Sequence, residues 1–225
     1  MGEVIDLGER RERRRCTTVP AGAARPGLEA TFFFDLASPF TYLAAERVER
    51  LLGGVKWRPV AAEALHRGAP PAGPDVREEA ERRAGVLGVP MVWPDSFPAP
   101  VPAAMRAAAH AAERGRGAAF TLAAARLAYC GGFDLADPEV LAEAAAVAGI
   151  GLEECLRAAG DVARDGPLEG AACRLLAAGA DRLPAFAIGG SLICGEDRLV
   201  EAAAWARCAV GPSPVRRRDR RMTRR

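Results

Sequence analysis

Thr31-Phe32-Phe33-Phe34-Asp35-Leu36-Ala37-Ser38-Pro39-Phe40-Thr41-Tyr42-Leu43-Ala44 is the stretch on which the fold turns. Glu29 to Leu36 reads as the first strand, short, aromatic and β-favouring at Thr31 to Phe34, whereas Ala44 to Leu52 places apolar residues at helical spacing, so the period changes within a few residues. Ser38 stands at that change. Serine is a favoured N-cap and Pro39 suits the first helical position, where its missing N–H is no loss. The Ser38 hydroxyl is therefore expected among free backbone N–H groups at the positive end of the helix dipole, a setting suited to holding an anion. A Ser-Pro pair opening a helix can equally be a plain structural cap, and the residues alone leave both readings open.

Outward from this stretch, Gly53-Gly54 stops the helix as a C-cap would, and Val55 to Val60 alternates apolar and polar as a second strand. Strand, helix and strand in so short a span is a βαβ unit, which makes the two strands parallel. Ala61 to Asp75, with His66, Gly68, Pro70, Pro71, Gly73 and Pro74, reads as a loop. Arg77 to Leu87 reads as a helix, followed by the proline-broken apolar run Gly88-Val89-Pro90-Met91-Val92-Trp93-Pro94. Ala103 to Arg114, Phe120 to Tyr129, Pro138 to Ala148, Leu152 to Ala159 and Glu169 to Ala178 are Ala-rich helical segments separated by glycines. Asp137 before Pro138 has the form of an N-cap, and Gly149 of a C-cap. Leu183 to Ile188 and Ser191 to Cys194, joined by Gly189-Gly190, form a hairpin, and a last helix opens at Gly195-Glu196-Asp197-Arg198-Leu199 and runs to about Cys208.

The chain has 225 residues and half of them are hydrophobic, enough for one substantial core rich in small side chains. The formal net charge of +2 is unevenly placed. Residues 1–27 and 211–225 are Arg-rich and aperiodic and are predicted to be disordered tails, which leaves an acidic middle and argues against a dedicated nucleic-acid binder. The six cysteines include no Cys-x-x-Cys pair and have no zinc-ligand spacing with His66 or His110, so no metal is expected. They read as isolated thiols in a reducing compartment. The N-terminus lacks the pattern of a signal peptide and no apolar run is long enough for a membrane span, so a cytoplasmic protein without membrane contact is expected.

The segment Asp35-Leu36-Ala37-Ser38-Pro39-Phe40-Thr41-Tyr42-Leu43-Ala44 resembles the active-site segment of 2-hydroxychromene-2-carboxylate isomerases and kappa-class glutathione transferases, in the DsbA-like thioredoxin superfamily. Gly88-Val89-Pro90 and Trp93-Pro94 are similar to a second patch of that family. Where the disulfide oxidoreductases of the superfamily carry Cys-x-x-Cys, this chain has Ser38-Pro39-Phe40-Thr41, which excludes dithiol exchange by cysteines at that turn. The resemblance implies an α/β, thioredoxin-like fold with an all-helical insertion: a first thioredoxin part at residues 28–62, the insertion at 63–180 and a second part at 181–210.

It also implies a glutathione-dependent isomerase, with a kappa-type glutathione transferase or a non-catalytic DsbA-like peptide-binding or chaperone module as alternatives. On the family pattern, Ser38 would hydrogen-bond the glutathione sulfur, and Leu183 with a cis Pro184 would pair with the cysteinyl backbone. Glu196 and Asp197 would hold the γ-glutamyl amine. An aromatic or conjugated carbonyl substrate would lie against Phe40 and Trp93, in a possible homodimer. Two family asparagines are missing, one near Gly68 and Ala69 and one in Val101 to Arg106, and Leu183-Pro184 stands where Val-Pro is commoner. Cys194 is the one thiol close enough to the hairpin to watch for redox chemistry.

Overall fold

The computed structural model describes residues 29–65 and 76–209. The expected tails and the loop holding His66, Gly68 and Ala69 lie outside the described residues. Strand β1 (Ala30–Phe34) leads into α1 (Pro39–Leu52) and then β2 (Val55–Pro59). Six helices follow: α2 (Val76–Leu87), α3 (Pro102–Glu113), α4 (Gly117–Tyr129), α5 (Pro138–Ala148), α6 (Leu152–Gly160) and α7 (Asp165–Ala177). The chain then returns through β3 (Ala185–Ile188) and β4 (Ser191–Cys194) to α8 (Leu199–Ala209), which is entered by the 3₁₀ turn Glu196–Arg198.

The four strands form one sheet in the order β2-β1-β3-β4, with β1 parallel to β2 and antiparallel to β3, and β3 antiparallel to β4. The pleat of β1 places Ala30, Phe32 and Phe34 on one buried face. There Phe32 stacks on Phe34 at 5.6 Å and on Phe186 at 5.4 Å, while Trp57 meets its edge at 4.8 Å. Phe186 and Trp57 are the cross-strand partners of Phe32, and Phe34 extends this aromatic ladder along β1. The other face carries Phe33 against a second apolar cluster of Val60, Leu65, Leu175, Leu183 and Cys194.

The helical block does not close a core of its own. Ala104, Ala108, Phe120, Ala124, Leu141 and Ala144 belong to the same buried cluster as Phe32, Leu43 and Val48. The alanines explain how: small side chains let α4 approach α5 and α1, and α3 approach α6, closely enough to exclude water without large residues. Helix ends follow the predicted punctuation, with Asp137 accepting from the Glu139 N–H and Gly149 taking the left-handed conformation at φ 69°. Gly53 closes α1 through its N–H to the Glu49 carbonyl at 2.9 Å.

Several boundaries differ from the sequence reading, and three of them have a local physical reason. β1 ends at Phe34 because Asp35 turns its carboxylate onto local backbone N–H groups. β3 begins at Ala185 because Pro184 has no N–H to offer and its carbonyl accepts from Gly195 at 2.8 Å. α7 begins at Asp165, ahead of the expected Glu169, because Pro167 sits in the first turn, where a proline does not interrupt the helix. Among the described residues no helix is long and apolar enough to cross a membrane.

Phe32 is fully buried at the centre of the aromatic ladder. Truncation of Phe32→Ala is expected to cost about 3–5 kcal/mol of unfolding free energy. Equilibrium denaturation measures it, and a loss below about 1 kcal/mol would remove the ladder from the centre of the core.

Candidate active site at the end of the first strand

The turn between β1 and α1 is held from every side. Asp35 is 6% exposed, and its carboxylate accepts from the Ala37 N–H at 2.8 Å and the Ala62 N–H at 2.7 Å. Its own carbonyl accepts from the Thr41 hydroxyl at 2.7 Å and the Ser38 N–H at 3.1 Å. Tyr129, reaching in from α4, donates its hydroxyl to the carbonyls of Ala37 at 2.7 Å and Leu36 at 3.2 Å. The Leu36 N–H lies 3.3 Å from the Met105 sulfur of α3. Burial, and then the Asp35 carboxylate, push the Tyr129 phenol far above its ordinary range, so it stays a neutral donor.

Ser38 leaves this turn in extended conformation (φ −95°, ψ 124°) as the N-cap residue of α1, yet its side chain makes no capping hydrogen bond. The Thr41 N–H, one that a serine cap would use, goes to the Ser38 carbonyl at 3.0 Å. Of the two readings open in the sequence, the plain side-chain cap is therefore absent, and the half-buried hydroxyl stands at the helix N-terminus without that duty.

The hairpin brings the second piece. β3 pairs with β1 in a ladder whose last pair is Phe33 with Ala185, and Leu183 precedes that pair by two residues, on the side of the β1 C-terminal end. The Leu183–Pro184 peptide bond is cis. The Leu183 side chain is buried, while its backbone N–H and C=O make no hydrogen bond with any described residue. A main-chain donor and acceptor without partners are the groups to which an added extended segment pairs.

Glu196 and Asp197 part company. Glu196 is 2% exposed, and both carboxylate oxygens are taken by guanidinium groups, one by Arg47 of α1 and the other by Arg83 of α2 at 2.8 and 2.5 Å. With two cations on it and no open surface, Glu196 cannot receive a ligand amine, and the role expected of it is corrected to a tie between three elements. Asp197 is exposed and meets Arg182 at 3.2 Å. Gly195 makes room for this pair: its φ is 102°, and an added Cβ would fall 2.3 Å from Asp197 Oδ1.

Phe40 and Trp93 do not line the cavity beside the turn. Phe40 packs against the core, and Trp93 lies 4.6 Å from Phe97 with its indole N–H on Glu81 at 2.7 Å. The cavity that does adjoin the turn measures about 720 Å³ and is lined by Asp35, Ala37, Pro98, Pro100, Val101 and Met105, among others. The expected aromatic pocket is thus replaced by a wall of prolines and aliphatic groups. Its signal was present in the proline spacing from Pro94 to Pro102, but only the folded chain sets that run against Ala37.

Cys194, the thiol closest to the hairpin, is buried, and burial pushes its pKa up, so it is an inert core residue. Among the described residues no group of three or more His, Cys, Asp or Glu is placed to hold a metal ion.

A βαβ unit with its site at the strand-to-helix turn, a hairpin facing that turn, and helices between the two halves define an α/β protein of the thioredoxin kind. The model of the DSBA-like thioredoxin domain matches residues 30–204, and the chain belongs to that family. Solved structures agree on the fold. The structure of 2-hydroxychromene-2-carboxylate isomerase superposes with a TM-score of 0.65 at 19% identity, covering 80% of this chain and 95% of that one. The cytosolic disulfide reductase DsbM from Pseudomonas aeruginosa, solved with GSH, superposes with a TM-score of 0.55 at 23% identity, covering 80% and 96%. Among curated proteins nothing matches the chain.

Two substitutions separate support from chemistry. Glu196→Ala leaves the Arg47 and Arg83 guanidinium groups facing each other in a buried site and is expected to cost about 3–5 kcal/mol of stability. Tyr129→Phe strips the donor from two carbonyls of the turn and is expected to cost about 1–3 kcal/mol. Denaturant unfolding measures both, and values near zero would mean that these groups are not what holds the turn and α8 in place.

Proposed function

We propose that the protein is a glutathione-dependent enzyme that isomerises a conjugated carbonyl compound, with the glutathione thiolate as nucleophile. The observation that carries this reading is the Ser38 hydroxyl, free of capping duty at the N-terminus of α1, supported by a Leu183 backbone that has no hydrogen-bond partner among the described residues. The cysteinyl unit of glutathione would pair with the Leu183 N–H and C=O as a short added strand, which directs its sulfur to the Ser38 turn. There the hydroxyl donates to the sulfur, and the helix N-terminus favours the anion, so the thiol pKa falls. Asp197 is the exposed carboxylate for the γ-glutamyl amine, with Arg182 beside it.

The electrophile would occupy the cavity of about 720 Å³ next to Ala37. The thiolate adds to the conjugated carbon, forming a carbon–sulfur bond and moving the displaced electron pair onto the carbonyl oxygen as an enolate. Rotation about the former double bond follows, and collapse of the enolate expels the thiolate unchanged. A transferase would share the first step and keep the new bond. The relatives support glutathione as co-reactant: one neighbour is a 2-hydroxychromene-2-carboxylate isomerase and another was solved with GSH. Four described cysteines are free, which suits a reducing compartment where glutathione is a thiol.

Calorimetric titration with reduced glutathione tests the reading. Saturable binding is expected, with Ser38→Ala weakening it by about tenfold or more, the effect of one hydrogen bond to a charged group. Ultraviolet absorption of the bound thiolate should persist to lower pH in the wild type than in the variant. No heat at millimolar glutathione in folded protein would overturn the proposal and favour a peptide-binding module using the Leu183 edge.

A further inference from the structure

A cavity of about 830 Å³ lies away from the Ser38 turn, along the outer edge of β2. β2 ends the sheet, with β1 as its one strand neighbour among the described residues. All five of its residues line the groove. One wall comes from α3 and the start of α4, through Ala109, Ala112 and Ala118, and the other from α7, through Leu168 and Ala171. Gly117 keeps the first wall tight, since a Cβ there would lie 3.3 Å from the Trp57 Cβ. The groove is thus a slot with apolar sides and a row of strand-edge backbone groups along its floor.

Its charge has one sign. Arg58 and Arg174 line it, and their guanidinium groups have no hydrogen-bond or ion-pair partner among the described residues. The one acid in the lining, Glu113, is held by Arg164 at 2.9 Å. Lys56 adds a third cation, bridged at the exposed strand entrance to Glu29 at 2.7 Å. Lysine and proline on a strand edge deter indiscriminate edge-to-edge pairing, and Lys56 and Pro59 flank Arg58 in this way. A selective occupant must therefore bring negative charge as well as a free backbone.

We propose that this groove binds an extended acidic peptide segment of a partner protein, which adds to β2 as a fifth strand. Alternate side chains of the segment would meet Arg58 and Arg174, and those between would lie on the alanine and leucine walls. The site is separate from the Ser38 turn, so it stands whether or not glutathione binds there.

The probe is a capped Glu-Val-Glu-Val-Glu peptide titrated into the full-length protein, with hydrogen exchange followed across β2. Saturable binding is expected, with slowed exchange of the β2 amides and weakening on raising salt from about 50 to 500 mM. Arg58→Glu and Arg174→Glu should each weaken binding by about tenfold while the glutathione titration is unchanged. A peptide N-methylated at alternate amides in the one phase that faces β2 should lose binding, and methylation in the other phase should not. Equal binding of both methylated peptides, or equal competition by glutarate, would show a simple anion site and overturn the strand. Absence of binding in protein with a native circular dichroism spectrum would overturn the proposal altogether.

Discussion

The buried carboxylate of Asp35 is the constraint on which the rest of the molecule depends. A carboxylate taken out of water is costly unless its oxygens are satisfied, and here two backbone N–H groups, from Ala37 and Ala62, provide that satisfaction. Those two bonds join the turn after β1 to the chain just after β2, so one side chain reinforces the backbone bond from the Val60 N–H to the Phe34 carbonyl at 2.9 Å that ties the ends of the two strands. With the turn fixed, Ser38 is presented at the start of α1 in extended conformation, and the helix can begin at Pro39 with its N-terminus aimed at the same place.

Around this centre the fold uses buried polar groups as ties between distant segments. Tyr129 carries the grip of the helical block onto the turn, and its phenol remains protonated because burial and the neighbouring carboxylate both oppose ionisation. Glu196 does the equivalent for the C-terminal helix, bound to Arg47 of α1 and Arg83 of α2. Each tie crosses more than a hundred residues of sequence or nearly so, and each joins an element of the helical block or the last helix to α1 or its leading turn. The helical block is therefore continuous with the sheet domain in its packing as well as in its polar contacts.

Much of this was legible in the chain. The aromatic run from Phe32 to Phe34, the change of period at Ser38 and the glycine stop at Gly53 are local signals, because strand alternation, helix capping and C-cap glycine act between residues a few positions apart. The helix that begins at Asp165 was read from Glu169, and its first turn holds Pro167, which leaves the hydrogen-bond ladder intact there. The pair Glu196-Asp197 looked like two equivalent acids. Their difference arises from Arg47 and Arg83, which are remote in sequence, so nothing local marked one as buried and the other as exposed.

The amino-acid sequence by itself determined the order and type of the elements, the place of the turn at Ser38 and the family to which the chain belongs, since these follow from short-range periodicity and from motifs kept in order. Tertiary structure alone decided that the Ser38 hydroxyl is free of capping, that Glu196 is buried between two guanidinium groups while Asp197 is exposed, that Phe40 and Trp93 lie off the cavity, and that β2 is the outermost strand among the described residues. Those properties depend on which side chains meet across long loops, and packing of whole elements sets such meetings in a way that no stretch of sequence encodes on its own.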